Sequence, residues 1–225
     1  MELKEYPDRD IMMVDLAGRI ASELRGALSL GERATLAVPG GTTPGPVFDA
    51  LAEVSLDWAR VDVVPTDERW VPADDPRSNT RLIRERLLTG QAAAARLVPL
   101  YDPAAAAPED ALERLCEGVA EVLPLTVCLL GMGADGHIAS LFRGGEGLDA
   151  ALADDAPALA AIRAAEVPEP RVTLTAPVLM GAMHLHLLIT GPEKRAALER
   201  AAERGPVADA PVRLILGEAI VHHAE

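Results

Sequence analysis

The feature that most restricts this chain is a recurring unit: a short apolar segment, a glycine-rich or charged loop, then residues at helical spacing. Residues 34–38 run into Pro39-Gly40-Gly41, and residues 61–65 into Thr66-Asp67-Glu68-Arg69-Trp70. Residues 125–130, the clearest buried strand, run into Gly131-Met132-Gly133. Ile11, Val14, Leu16, Ile20, Leu24 and Leu28 recur at helical spacing until Gly31 stops them. Pro44 and Gly45 open a helix to Leu51, where the missing N–H of proline costs nothing. Ser78-Asn79-Thr80 caps a helix through Leu88. Residues 109–122 and 193–204 read as helices, and residues 212–216 as a short one. Residues 97–100, 171–175, 184–190 and 219–223 read as further strands, and residues 103–108 as a surface connector.

Apolar strands alternating with helices predict an α/β fold: a Rossmann-like, doubly wound, largely parallel sheet with helices on both faces. No repeat of fixed period and no linker divides the chain, so one domain spanning residues 1–225 is expected. In such sheets ligands bind beyond the carboxyl ends of the strands. The polar motifs of this chain all fall at those ends.

Charge narrows the function. A formal net charge of −14 argues against nucleic acid and anionic membrane surfaces as partners. It does not exclude a small anion, because a few arginines and backbone N–H groups make a local positive pocket. No apolar stretch reaches the roughly 20 residues of a membrane span, and residues 1–10 lack the apolar core of a signal peptide. Cys116 and Cys128 form no C-x-x-C pair; Cys128 reads as a buried thiol, and a reducing, cytoplasmic setting is expected. His184 and His186 share a strand face without a third ligand at metal spacing, so they read as structural and no metal is expected. His222 and His223 read as edge or surface residues. A monomer or weak homodimer is expected.

Four loops carry chemistry. Residues 39–44, Pro-Gly-Gly-Thr-Thr-Pro, turn sharply before a helix N-terminus and suit a phosphate; no lysine of the ATP-binding loop type follows. In residues 66–79, Arg69 and Arg77 offer planar forks for a phosphate. Asp67 and Glu68 offer acceptors for sugar hydroxyls or for an arginine, although a solvated charged loop is the plainer account of that segment alone. Residues 131–142 place His137 after Asp135 among glycines, where a proton carrier and backbone donors for an oxyanion meet. The same loop matches G-x-G-x-x-G through Gly131, Gly133 and Gly136, with Asp154 and Asp155 downstream. That motif requires a continuous helix after its third glycine, and Gly144, Gly145 and Gly147 interrupt it, so no dinucleotide cofactor is expected. Residues 190–194, Thr-Gly-Pro-Glu-Lys, bring Lys194 to the start of a helix, within reach of a phosphate.

Taken together and in this order, the four motifs resemble the 6-phosphogluconolactonase family, over most of the chain from Pro39 to Lys194. The resemblance implies a cofactor-free hydrolysis of 6-phospho-D-glucono-1,5-lactone in the oxidative pentose phosphate pathway. It implies His137 as the acid–base, Asp135 as its companion, and Gly40, Gly41, Thr42, Asp67, Arg69, Asn79, Gly133, Arg171 and Lys194 around a sugar-phosphate substrate. Glucosamine-6-phosphate deaminases share the glycine loop and the Asp-Gly-His element but carry a further acidic residue after it. This chain has Ser140-Leu141-Phe142 there. It departs from the lactonase pattern at Arg143, where that family usually has proline, and at His223, where an aromatic is common.

Overall fold

The computed structural model describes residues 1–165 and 167–225. The apolar runs form strands buried on both faces: β2 (Ala34–Val38), β3 (Val61–Pro65) and β6 (Val127–Gly131). Alternate side chains serve opposite cores. Leu36, Val38, Val127 and Leu129 meet Met12, Leu16 and Ile20 of α1 (Arg9–Leu30), together with α2 (Gly45–Ala52) and α3 (Asn79–Arg86). Ala37, Cys128 and Leu130 face the other core, shared by α4 (Leu112–Ala120), α5 (Leu148–Leu152), α6 (Ala176–Met180) and α7 (Gly191–Ala202). This two-sided cover is why the runs are apolar rather than alternating. Burial pushes the Cys128 thiol up to about 12, far from a reactive thiolate.

The remaining strands are β1 (Glu2–Glu5), β4 (Asp67–Arg69), β5 (Arg96–Leu97), β7 (Leu159–Ile162), β8 (Arg171–Leu174), β9 (His184–Thr190) and β10 (Ile220–Ala224). Seven strands make a parallel sheet in the order β1-β10-β9-β6-β2-β3-β5. From β2 the chain winds outward through β3 and β5, returns to β6, and winds the other way through β9 and β10. The switch between β2 and β6 is where a doubly wound sheet opens a crevice. The expected fold is therefore present.

A second sheet was not anticipated. β4, β8 and β7 form an antiparallel unit with β8 in the centre. In the sequence, residues 66–70 read as a polar strand end and residues 171–175 as a later strand, while residues 159–162 carry no predicted element. The junction is Thr66: its N–H donates to Val38 O (2.9 Å), and its carbonyl accepts from Leu174 N (2.9 Å), so one residue joins both sheets. Glu68 then fixes β4 to the start of α3. Its buried carboxylate accepts from Asn79 N (2.8 Å), Thr80 N (2.7 Å) and Ser78 Oγ (3.0 Å), using N–H groups that a helix start leaves unpaired. Ser78 caps that helix as the sequence predicts, its Oγ accepting from Arg81 N. Smaller differences are that β5 is only Arg96–Leu97, sharing Leu97 alone with the expected 97–100 strand, and that Pro211–Leu214 is a 3-10 turn.

The N-terminus corrects a further expectation. The charged Glu2–Glu5 segment is an edge strand, where charged residues are tolerated and protect against further pairing. It covers β10, so His222 and His223 are buried rather than at an edge. His222 Nε2 lies 3.0 Å from His186 Nδ1, and its Nδ1 lies 2.8 Å from Tyr6 Oη. His186 Nε2 reaches Glu23 Oε2 at 2.8 Å, in keeping with a structural role.

Burial first, then the nearby His186, Arg19 and Lys4, push His222 down from 6.5 to about 3, against the opposing pull of Asp15. Between those values the unfolded chain binds a proton that the folded chain refuses, so stability falls as pH drops. We predict that urea unfolding between pH 6.5 and 5 shows a stability slope of up to about 1.4 kcal/mol per pH unit from this residue. His222→Phe should remove that component of the slope. An unchanged slope, or an NMR spectrum with His222 charged at pH 5, would contradict this.

Candidate active site

At the carboxyl ends of β2, β6 and β9 lies a cavity of about 490 Å³. Its first wall is the loop after β2, with Gly40, Gly41, Thr42 and Thr43. Gly41 has φ +87°, a left-handed conformation that permits the turn. A Cβ on Gly40 would overlap the amide of Asn79, so glycine there lets the loop and α3 approach closely. Asn79 is thereby a bracket. Its Nδ2 donates to Asp67 O (2.8 Å), and its Oδ1 accepts from Arg69 Nη1 (2.8 Å).

The second wall is cationic. Antiparallel register sets Arg69 of β4 directly opposite Arg171 of β8. Like charges facing each other across a ladder are unfavourable without an anion between them. Arg171 is 7% exposed, and its Nε is buried without a hydrogen-bond partner among the described residues. Burial, and then the charge of Arg69, push its guanidinium down from the usual value, opposed by Asp67 and Glu68. Lys194, in the first turn of α7, lines the same cavity. Arg77 does not: it is exposed and pairs with Asp75 (3.0 Å) and Glu169. Glu68 is also spent elsewhere, on the α3 terminus.

The third wall is the loop after β6. Gly133 N donates to His137 O (2.8 Å), and Gly136 N to Gly133 O (3.1 Å), closing a tight turn in which Gly136 has φ +86°. His137 Nδ1 lies 2.6 Å from Asp135 Oδ1, which also accepts from His137 N (3.3 Å). Burial alone would raise the Asp135 carboxyl; the charge of His137 and hydrogen bonds from its backbone and ring outweigh this and hold it below its ordinary value. A Cβ on Gly133 would overlap both the His137 ring and the Asp135 carboxylate, so this glycine makes room for the pair. No helix follows Gly136 until α5, so the geometry of a dinucleotide-binding turn does not form.

His137 and every predicted binding residue (Gly40, Gly41, Thr42, Asp67, Arg69, Asn79, Gly133, Arg171 and Lys194) line this cavity. Asp135 sits behind His137 rather than in the lining. Asp67 accepts from Ser140 Oγ (2.5 Å) and from Thr66 Oγ1 (3.2 Å), which fixes its carboxylate beside the cavity. Sequence reasoning missed Phe142. Its ring centroid is 4.7 Å from that of His137, and the Arg171 guanidinium carbon stands 5.8 Å above the same ring. The available signal was scarcity, since the chain has two phenylalanines. Ala139, also in the lining, has φ +48°, a strained conformation for a residue with a side chain.

Known proteins resemble this chain over nearly its whole length. The sequence profile of the glucosamine-6-phosphate isomerases/6-phosphogluconolactonase family matches residues 7–222. A 6-phosphogluconolactonase of Mesorhizobium japonicum is 42% identical over 221 residues, covering 95% of this chain and 90% of that protein. One from Pseudomonas aeruginosa is 41% identical over 210 residues, covering 92% and 88%. The crystal structure of a 6-phosphogluconolactonase from Shewanella baltica superposes with a TM-score of 0.96 at 30% identity, covering 100% of this chain and 98% of that one. The chain belongs to the glucosamine-6-phosphate isomerase/6-phosphogluconolactonase family.

Proposed function

We propose that this protein is a carboxylic ester hydrolase that converts 6-phospho-D-glucono-1,5-lactone to 6-phospho-D-gluconate, as the names of its relatives suggest. The observation that carries the reading is the pairing, in one cavity, of a carboxylate-held histidine with two opposed arginines that have no ion pair among the described residues. A lactone is an activated ester, so a positioned water suffices as nucleophile.

Asp135 accepts the Nδ1 proton of His137 and leaves Nε2 with its lone pair for work as a base. A water gives a proton to Nε2 as its oxygen bonds to C1. Backbone N–H groups of the glycine loops face the negative charge that develops on the carbonyl oxygen. When the C1–O5 bond breaks, the imidazolium returns the proton to O5, and the carboxylic acid product ionises in water. Arg69, Arg171 and Lys194 hold the phosphate. Asp67 and Asn79 contact sugar hydroxyls or keep Arg69 in place. One domain, residues 1–225, supplies all of these groups. The deaminase reading lacks its second acid, because Ser140-Leu141-Phe142 brings no carboxylate after the Asp-Gly-His element.

Acid–base help of this kind is worth about 100- to 10,000-fold. We predict that His137→Ala lowers kcat/KM for the lactone by that amount, after correction for spontaneous hydrolysis. A near-normal value would sink the assignment, and ammonia release from glucosamine 6-phosphate would replace it with a deaminase. Gly133→Ala should lower kcat by about 100-fold through displaced His137 and Asp135, a loss typical of misplacement by an ångström. The thermal midpoint should barely move. A fully active Gly133→Ala enzyme would show that the close packing of this pair is not required.

A further inference from the structure

The loop that carries His137 is also a partition. His137 and Gly133 face the cavity described above, whereas Ala134 and Asp135 line a second groove of about 400 Å³ on the far side. That groove is markedly basic for a protein with a net charge of −14. Arg143, Arg200, Arg204 and Arg213 line it against two carboxylates, Asp135 and Asp209. Arg213 is built in: its guanidinium donates to Ala201 O (2.9 Å), Glu203 O (3.2 Å) and Pro206 O (2.8 Å), packed against Gly205. Arg200 lies in the last turn of α7 and Arg204 just beyond its C-cap Glu203, and both line the groove. Among the described residues neither is in an ion pair. The macrodipole of α7 accounts for a basic last turn. It does not account for Arg143, which arrives from a different element, the loop after Phe142, and lies 3.6 Å from Asp209.

We propose that this groove is a second anion site, for a multiply charged phosphate-bearing metabolite, and that its occupancy is felt at His137 through Asp135. Forked donors from three segments suit phosphate oxygens. Coupling follows from position: Asp135 lines the groove and also holds His137 Nδ1 at 2.6 Å. Phe142, next to Arg143 in the chain, packs on the His137 ring. An anion in the groove adds negative charge near the imidazole and favours its protonated form. It therefore shifts the pH at which His137 switches between base and acid.

The test uses inorganic pyrophosphate as probe on the full chain, by calorimetry, with the first cavity saturated by 6-phosphogluconate. Pyrophosphate should still bind. Its affinity should fall at least about tenfold in Arg200→Ala/Arg204→Ala, as expected when charged hydrogen bonds are removed. Without pyrophosphate that variant should still hydrolyse the lactone, and its own His137 midpoint is the baseline for the comparison. Pyrophosphate should raise the His137 titration midpoint, read by NMR of the ring, in the parent and not in the variant. Pyrophosphate displaced by 6-phosphogluconate, equal affinity in parent and variant, or an unmoved His137 midpoint with pyrophosphate bound would each overturn the proposal. A failure of 6-phosphogluconate itself to bind would count against the lactonase reading instead. The comparison of parent with variant would still decide the groove.

Discussion

The pairing of β2 with β6 governs what the rest of this molecule can do. The parallel register of Leu36 with Val127 and Ala37 with Cys128 sets side by side two strands from which the chain departs in opposite directions. Their carboxyl ends are therefore uncrossed by the chain, and the loops that follow them open toward a common space. One loop carries Gly40, Gly41 and Thr42; the other carries Gly133 and His137. Both strands are buried on two faces, so the points from which these loops depart are fixed by the core.

The small antiparallel sheet completes the arrangement electrostatically. An acidic protein must concentrate positive charge locally to hold an anion. Here the ladder between β4 and β8 forces Arg69 and Arg171 together, and Asn79 holds Arg69 by one hydrogen bond. Thr66 joins this sheet to the end of β2, so the cationic wall and the histidine wall share one framework. A phosphate held between the arginines, as proposed, would relieve their repulsion. Arg171 Nε, buried without a hydrogen-bond partner among the described residues, lies at this pair, as unsatisfied polar groups at functional sites often do.

Much of this was legible because the chemistry uses residues with a strong local signature. Glycines before and after His137, a Ser-Asn-Thr cap, and Lys194 at a helix start all announce themselves in one dimension. The parallel sheet was legible for the same reason, since continuous apolar strands need helices on both faces. What stayed hidden depends on pairing across the chain. β1 has the composition of a solvated tail and becomes a strand only because β10 offers it an edge; that pairing buries His222 and His223. β4 reads as the frayed end of β3, and only β8 turns it into a separate sheet. Phe142 gains its place from contacts with His137 and Arg171, a residue far away in sequence. Arg77 shows the converse: the sequence leaves it open as a phosphate ligand, and in the fold it pairs with Asp75 and Glu169.

The central claim is that one cavity binds a phosphorylated sugar acid with its phosphate on Arg69, Arg171 and Lys194 and its reacting carbon at His137. The most direct measurement is a crystal structure of the protein with 6-phosphogluconate. The account predicts phosphate oxygens within hydrogen-bond distance of both arginines and the lysine, with the carboxylate beside His137 Nε2. A ligand bound with its carboxylate on the arginine pair, or one seated outside the cavity between β2 and β6, would contradict it.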